Sequence, residues 1–331
     1  MNEAVKYLIE HRQTFLFIKH DLNNCTVSVV DFFYEGKLHK TIKVPYQKTT
    51  SLFGKSWQEM KLAVAICNMI KIPITVFIGA DIVNALSGIP IWLRGKVVKM
   101  IFLSADFAHA RFSNMLVNFL YHALDFVAMH CTHQTWSVSS RIVACRKKRL
   151  LSKKKNVHFP NAPFFNSVQR KPFSQLQTDH IVIVSALENG IDFVSIFTAF
   201  AEVLTHVPTA RLHLIGSGSK LVELQSLAKN LKVASSIIFH GALDHDAMFS
   251  VLTSCGIGIA LYTDSDPRHF RYFSDPMKVR DYMASGLAVL LSGNSAITEE
   301  VESNQIGFAV QPEAKDLSEK LLKILSDKGQ I

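Results

Sequence analysis

Residues 273–293 read FSDPMKVRDYMASGLAVLLSG. Pro276 suits a helix first turn, with Ser274 or Asp275 placed to cap it. The spacing predicts a helix over 278–285, closed by Gly286, and then a buried strand over 288–292. Lys278 and Asp281 stand three apart, on adjacent turns of one helix face. A cation binds a diphosphate, and a carboxylate accepts both hydroxyls of a ribose. The same two residues are equally an ordinary ion pair on a helix surface.

Outward from this segment the second half alternates strand and helix. Strands are predicted at 180–185, 211–215, 236–240, 256–261 and 308–310, and helices at 193–204, 220–229, 244–254 and 314–325. The strand at 211–215 runs into GSGS, where Gly216 and Gly218 permit close approach of a ligand and the following helix offers free N–H groups to a phosphate. A plain tight turn explains those glycines as well. The first half alternates less cleanly, with strands at 15–18, 26–33, 40–44, 74–78, 97–103 and 134–138 and helices at 2–11, 57–70 and 112–130. Alternation of this kind implies βαβ units and parallel sheets, whose ligands bind beyond the carboxyl ends of the strands. Residues 166–179, polar and holding two prolines, read as a linker between domains 1–165 and 180–331.

DPMKVRDYMASGLAVL resembles the donor-site segment of family 4 glycosyltransferases of the GT-B fold. RLHLIGSGSKL, SIIFHGALDHDAMFSVLTSCGIGIALYTD and NSAITEEVESNQIGFAV resemble, in order, the elements around that segment. IGADIVNALSG, SADFAHARFSNMLVNFLYHALD and QTWSVSSRIVACR resemble more loosely the acceptor domain of bacterial members that build surface polysaccharides. The resemblance implies two Rossmann-like domains with parallel sheets facing across a cleft. It implies transfer of a sugar from a nucleotide-diphosphate donor to a hydroxyl of a glycan or lipid-linked acceptor, with retention of configuration.

Position by position, the resemblance puts Asp281 on the donor ribose and Lys278 near the phosphates. Gly216, Ser217 and Gly218 fall at the phosphate-facing turn, Ser274 and Asp275 in the loop facing the sugar, and Glu299 at the start of the following helix. Three departures stand out. Phe273 occupies the place of the family's earlier glutamate. The turn SALENGID lacks the family's Arg/Lys pair, with Asn189 where a lysine is common. The chain ends at Ile331, before the helix that crosses back in the family. Arg268, Arg271 or Lys220 is the candidate to substitute for the missing cations.

In the first half Asp106, His109 and Arg111 follow a strand, at the cleft-facing end of a parallel sheet. Asp106 is placed to act on or orient the acceptor hydroxyl, and Arg111 to meet a phosphate or acidic sugar. The alternative is that Asp106 caps a helix beginning near His109. Asp81 and His20 occupy similar strand ends.

The net charge of +9 favours an anionic partner. Residues 141–155 hold eight basic residues and no acidic one, which reads as a face for anionic lipid or for solvent. No aromatic platform accompanies them, so nucleic acid is not expected. Five cysteines without a CxxC pair fit a reducing cytoplasm and no zinc site. Glu3, Lys6 and Glu10 interrupt any secretory h-region. Asp264-Ser265-Asp266 has metal-motif spacing but lies before the donor segment, so no metal or other cofactor is expected. Two alternatives stay open: a catalytically weak relative serving as a nucleotide- or glycan-binding scaffold, and a sugar-nucleotide epimerase.

Overall fold

The apolar runs of the second half are buried on both sides, the mark of a central parallel sheet. In the computed structural model they form β8 (Gln177–Val184), β9 (Arg211–Ile215), β10 (Ile237–Gly241), β11 (Cys255–Ala260), β12 (Ala288–Ser292) and β13 (Gly307–Val310). Residues 2–20, 27–45, 52–163, 168–188, 190–262, 268–292 and 295–326 are described; Asn189, Asp264 and Asp266 lie outside them. Two compact units, Met1–Pro160 and Asn161–Ile331, make up the chain.

All six strands of the second unit run parallel in the order β10-β9-β8-β11-β12-β13. This is the dinucleotide-fold order 3-2-1-4-5-6, whose topological switch point lies between β8 and β11. Alternate residues face opposite cores. Ile181, Ile183, Leu212 and Leu214 pack on α6 (Phe193–His206), α7 (Leu221–Asn230) and α12 (Ala314–Ser326). Val182, Ile215, Val289 and Leu291 pack on α8 (His245–Leu252), α10 (Met277–Ser285) and α11 (Thr298–Ser303).

The span read as a linker is tied into this unit. β8 already begins at Gln177. Arg170 donates to the carbonyls of Ala284 (2.6 Å) and Met283 (2.9 Å), where α10 ends at Gly286 in the left-handed conformation. A cation on the last carbonyls of a helix also suits its dipole.

The first unit holds two sheets. β4 (Ile74–Ala80), β5 (Val97–Ser104), β6 (Gln134–Ser137) and β7 (Asn156–His158) are parallel, joined through α3 (Ile82–Leu93), α4 (Met115–Cys131) and α5 (Ser140–Lys148). Before them come α1 (Asn2–Glu10), β1 (Phe15–Lys19), β2 (Val27–Tyr34), β3 (Lys37–Pro45) and α2 (Leu52–Met69). Here the expectation of uniformly parallel pairing fails: β1, β2 and β3 form a separate antiparallel sheet. The reason is local. Glu35 (φ 48°) and Gly36 (φ 75°) make a two-residue hairpin turn with both φ positive, which reverses the chain with no crossover helix.

Candidate functional site

At the switch point a tyrosine does the joining. β8 and β11 pair as far as Gly258 and Val182, and then diverge. The fully buried Tyr282 of α10 enters the gap. Its hydroxyl accepts from Val184 N (2.8 Å) and donates to Ile259 O (3.3 Å), so the last backbone groups of both strands stay satisfied. Gly258 makes the room, because a Cβ there would stand 2.6 Å from the Tyr282 ring. The segment that carries Lys278 and Asp281 is thereby fixed to the carboxyl ends of the central strands.

The loop after β9 lies on the loop after β8. Gly216 adopts φ 143°, and a Cβ on it would meet Ser185 O at 1.7 Å; one on Gly218 would meet Leu187 O at 2.3 Å. Leu187 N donates to Ser217 O, Lys220 N to Leu187 O, and Ser219 N and Oγ both donate to Glu188. Packing of backbone on backbone therefore accounts for both glycines. The same hydrogen bonds hold Glu188 below the ordinary carboxylate range, the Ser219 hydroxyl contributing first.

Tyr262, directly after β11, hangs its amide on Ser292 Oγ at the end of β12 (3.0 Å). Two cations lie against its ring: the Arg271 guanidinium at 5.0 Å and Lys278 Nζ at 5.4 Å from the centroid. Arg271 belongs to α9 (Phe270–Phe273) and donates to Gly190 O (2.8 Å). Among the described residues no carboxylate pairs with either cation. Burial, and then the charge of Arg271, push the Lys278 ammonium down to about 8. A half-buried cation beside a second one, on an aromatic face, is a site in want of an anion.

Other residues expected at the donor site have different surroundings. Pro276 takes the N-cap of α10 without a side-chain cap, so neither Ser274 nor Asp275 fills that role. Ser274 Oγ donates to Arg271 O. Asp275 is buried and spends its carboxylate on Arg280 Nε (2.9 Å) and Asn161 N (2.7 Å); Arg280 in turn forks onto Glu300 (2.6 and 2.8 Å). A guanidinium on the first turn of α10 draws Asp275 inward more strongly than the helix N–H groups do. Asp281 is buried, 8% exposed, on the helix face that also buries Tyr282 and Ser285. Phe273 is core, 2% exposed. Glu299 is exposed in the first turn of α11.

In the first unit Asp106 and Arg111 pair with each other at 2.8 Å, both part-exposed, in the loop beyond β5. Asp106 caps nothing: α4 begins at Met115 with Asn114 as its N-cap. Asn118 of α4 fastens the loop, accepting from Arg111 N and donating to His109 O. Asp81 caps α3 through Asn84 N (2.9 Å). Burial lowers His20, with Asp81 opposing.

The basic stretch 141–155 is divided. Arg146 is fully buried, 0% exposed, bound to Asp125 (3.0 Å) and Ser104 Oγ (2.8 Å) and lying over the Phe102 ring. Arg149 also pairs with Asp125, and Lys155 donates to the carbonyls of His130 and Thr132. The stretch is therefore no uniform surface face. Its outward members include Lys147, Lys148, Lys153 and Lys154, around Leu150, which is 83% exposed.

Sequence reasoning could not see Tyr262, Gly190 or the bridging role of Tyr282. Each acts through partners far along the chain; Tyr282 and Val184 are 98 residues apart.

Comparison with known proteins agrees with this architecture. The family described as "Glycosyl transferases group 1" matches residues 166–330. A chitobiosyldiphosphodolichol beta-mannosyltransferase of Yarrowia lipolytica is 22% identical over 164 residues, which cover 48% of this chain and 34% of that one; the match thus spans about a third of the relative's length. Sucrose-phosphate synthase from Thermosynechococcus elongatus superposes with a TM-score of 0.62 at 14% identity, over 94% of this chain and 79% of that chain. Anabaena HepE in complex with UDP superposes with a TM-score of 0.60 at 15% identity, over 83% and 73%. The structural neighbours share the GT-B fold. Through residues 166–330 the chain belongs to the family described as glycosyl transferases group 1.

Proposed function

We propose that the protein moves a sugar from a nucleoside-diphosphate donor to a hydroxyl of a glycan or lipid-linked acceptor, with retention of configuration and without a metal. The observation that carries this reading is the cation site on Tyr262, at the carboxyl ends of the strands flanking the switch point. Breaking the bond between the sugar and the diphosphate leaves negative charge on the departing oxygen. Lys278, set in a partly desolvated place, stabilises that charge more strongly than a fully hydrated lysine does. Asp281 on the same helix serves the ribose, the N-terminal turn of α7 lies toward the phosphates, and Asp106 with Arg111 serves the acceptor. A fold neighbour binding UDP supports a uridine nucleotide as the first to try. The Yarrowia relative, named for a dolichol-bearing diphosphate, supports a lipid-linked acceptor class.

Calorimetric titration with UDP, GDP and CDP, with and without magnesium, tests the donor reading. Saturable binding of one nucleotide, unchanged by magnesium, is the expected result. Binding of none of them overturns it. Binding without transfer to supplied acceptors points to a scaffold, and conversion of the donor sugar with no acceptor present points to an epimerase.

A lipid-linked acceptor places the enzyme at a membrane surface. Among the described residues no helix is long and apolar enough to cross one. The support is instead superficial: Met115, Leu116 and Phe119 of α4 are 85%, 79% and 72% exposed, and Arg149 stacks on Phe126 of the same helix beside the outward lysines. At about 1 kcal/mol per lysine near anionic lipid, replacing Lys147, Lys148, Lys153 and Lys154 by Gln should weaken binding to phosphatidylglycerol vesicles by well over about 10-fold. Equal co-sedimentation of variant and parent would dispose of the membrane contact.

A further inference from the structure

The loop after β8, Ser185-Ala186-Leu187-Glu188-Asn189-Gly190, carries no cation of its own, although it lies at the switch point. Two basic side chains approach it. Lys220, at the start of α7, has the Glu188 carboxylate for company. Arg271 has none among the described residues: it reaches across from α9 to the Gly190 carbonyl, 81 residues away in sequence. Gly190 is shaped to receive it. Its φ of 100° suits glycine, and a Cβ there would stand 2.5 Å from Arg271 Nη2. The guanidinium uses Nη1 on this carbonyl, and among the described residues Nε and Nη2 donate to nothing. Tyr262 meanwhile holds the guanidinium plane and Lys278 Nζ against one ring.

We propose that Arg271 supplies the second cation of a diphosphate subsite, docked on Gly190 and set beside Lys278 by Tyr262, in place of any cation from the loop after β8. This rests on the nucleotide-donor reading above. Two like charges held together repel each other, and a diphosphate relieves both at once. Arginine offers its planar fork to two phosphate oxygens while lysine acts as a point charge. Tyr262 is a positioning residue, acting through the two cations.

The test compares the parent protein with Arg271→Gln, Arg271→Lys and Gly190→Ala, each checked for an unchanged fold by circular dichroism. Every protein is titrated with the nucleoside diphosphate the parent binds and with the corresponding free nucleoside. Arg271→Gln should weaken the diphosphate roughly 10- to 100-fold and leave the nucleoside unaffected. Arg271→Lys should recover part of the loss, and Gly190→Ala should reproduce some of it by displacing the guanidinium. With the repelling charge gone, the alkaline fall-off of diphosphate affinity in Arg271→Gln should also move to higher pH, which checks that the two cations share the site. If the parent binds a nucleotide and Arg271→Gln binds it equally well with the same pH profile, Arg271 has no place in the subsite and the donor reading survives. If the parent binds no nucleoside diphosphate, the donor reading falls and this inference with it.

Discussion

Lys278→Met should raise the melting temperature of the ligand-free protein and at the same time lower its affinity for a nucleoside diphosphate at least about 100-fold. The two effects share one cause. Lys278 sits in a partly desolvated place within reach of the Arg271 charge, so its ammonium titrates at about 8 instead of the ordinary 10.5. A folded-state value below the unfolded one means that the charged form works against the fold. The penalty is complete below pH 8 and disappears as pH rises towards 10.5. Allowing for the solvent that still reaches the head group, removal of the charge should stabilise the protein by about 1–2 kcal/mol at pH 7. Thermal unfolding from pH 7 to 10 checks this: the gain should shrink steadily above pH 8. A lysine kept for packing or for a surface ion pair would show the opposite, a variant less stable than its parent and unchanged in nucleotide affinity.

In the first unit the largest effect is expected at Asp125, whose carboxylate is the counter-charge of the fully buried Arg146. Burial pulls the Arg146 guanidinium down, and Asp125 opposes that pull without cancelling it. Asp125→Asn keeps the shape but strands Arg146 in the core, at a cost of about 3–5 kcal/mol. Arg146→Met removes the buried cation itself and leaves Asp125 paired with Arg149, so it should cost markedly less. Urea unfolding of the two variants decides the matter, and a milder effect for Asp125→Asn would mean that Arg146 does not depend on this carboxylate. The network also reaches the candidate acceptor side. Arg146 donates to Ser104 Oγ, which donates to Asp106 O, so the loop bearing Asp106 and Arg111 is held by the same arginine.

Much of the second unit is legible from period alone. Runs such as His180–Val184 and Ala288–Ser292, buried on both faces and separated by helical spacing, permit little besides a parallel sheet. The segment with Lys278 stands out because Pro276 and Gly286 punctuate its helix. What period does not carry is partner choice. Asp275 has the look of a helix cap, and only the fold brings Asn161, 114 residues away, to its carboxylate. Arg271 and Tyr262 lie in a stretch without period, and their pairing depends on where β11 ends. The antiparallel sheet is only partly legible: Gly36 suits a turn between two β-branched runs, but Glu35 beside it is not one of the residues that mark a two-residue hairpin. Arg146 shows the limit of counting charge, since a basic stretch says nothing about which member turns inward.

The central claim is that a nucleoside diphosphate binds against Lys278 and supplies the counter-charge that no described carboxylate provides. The direct measurement is the number of protons taken up on binding, obtained by calorimetry at pH 8.5 in two buffers of different ionisation enthalpy, for the parent protein and Lys278→Met. An ammonium at about 8 before nucleotide is added is mostly neutral at that pH and regains its proton when the phosphates arrive. The parent should therefore take up about 0.7 proton and the variant, wherever its weaker binding can be measured, almost none. Binding by the parent with no proton uptake at pH 8.5 would contradict the assignment of Lys278 to the phosphates.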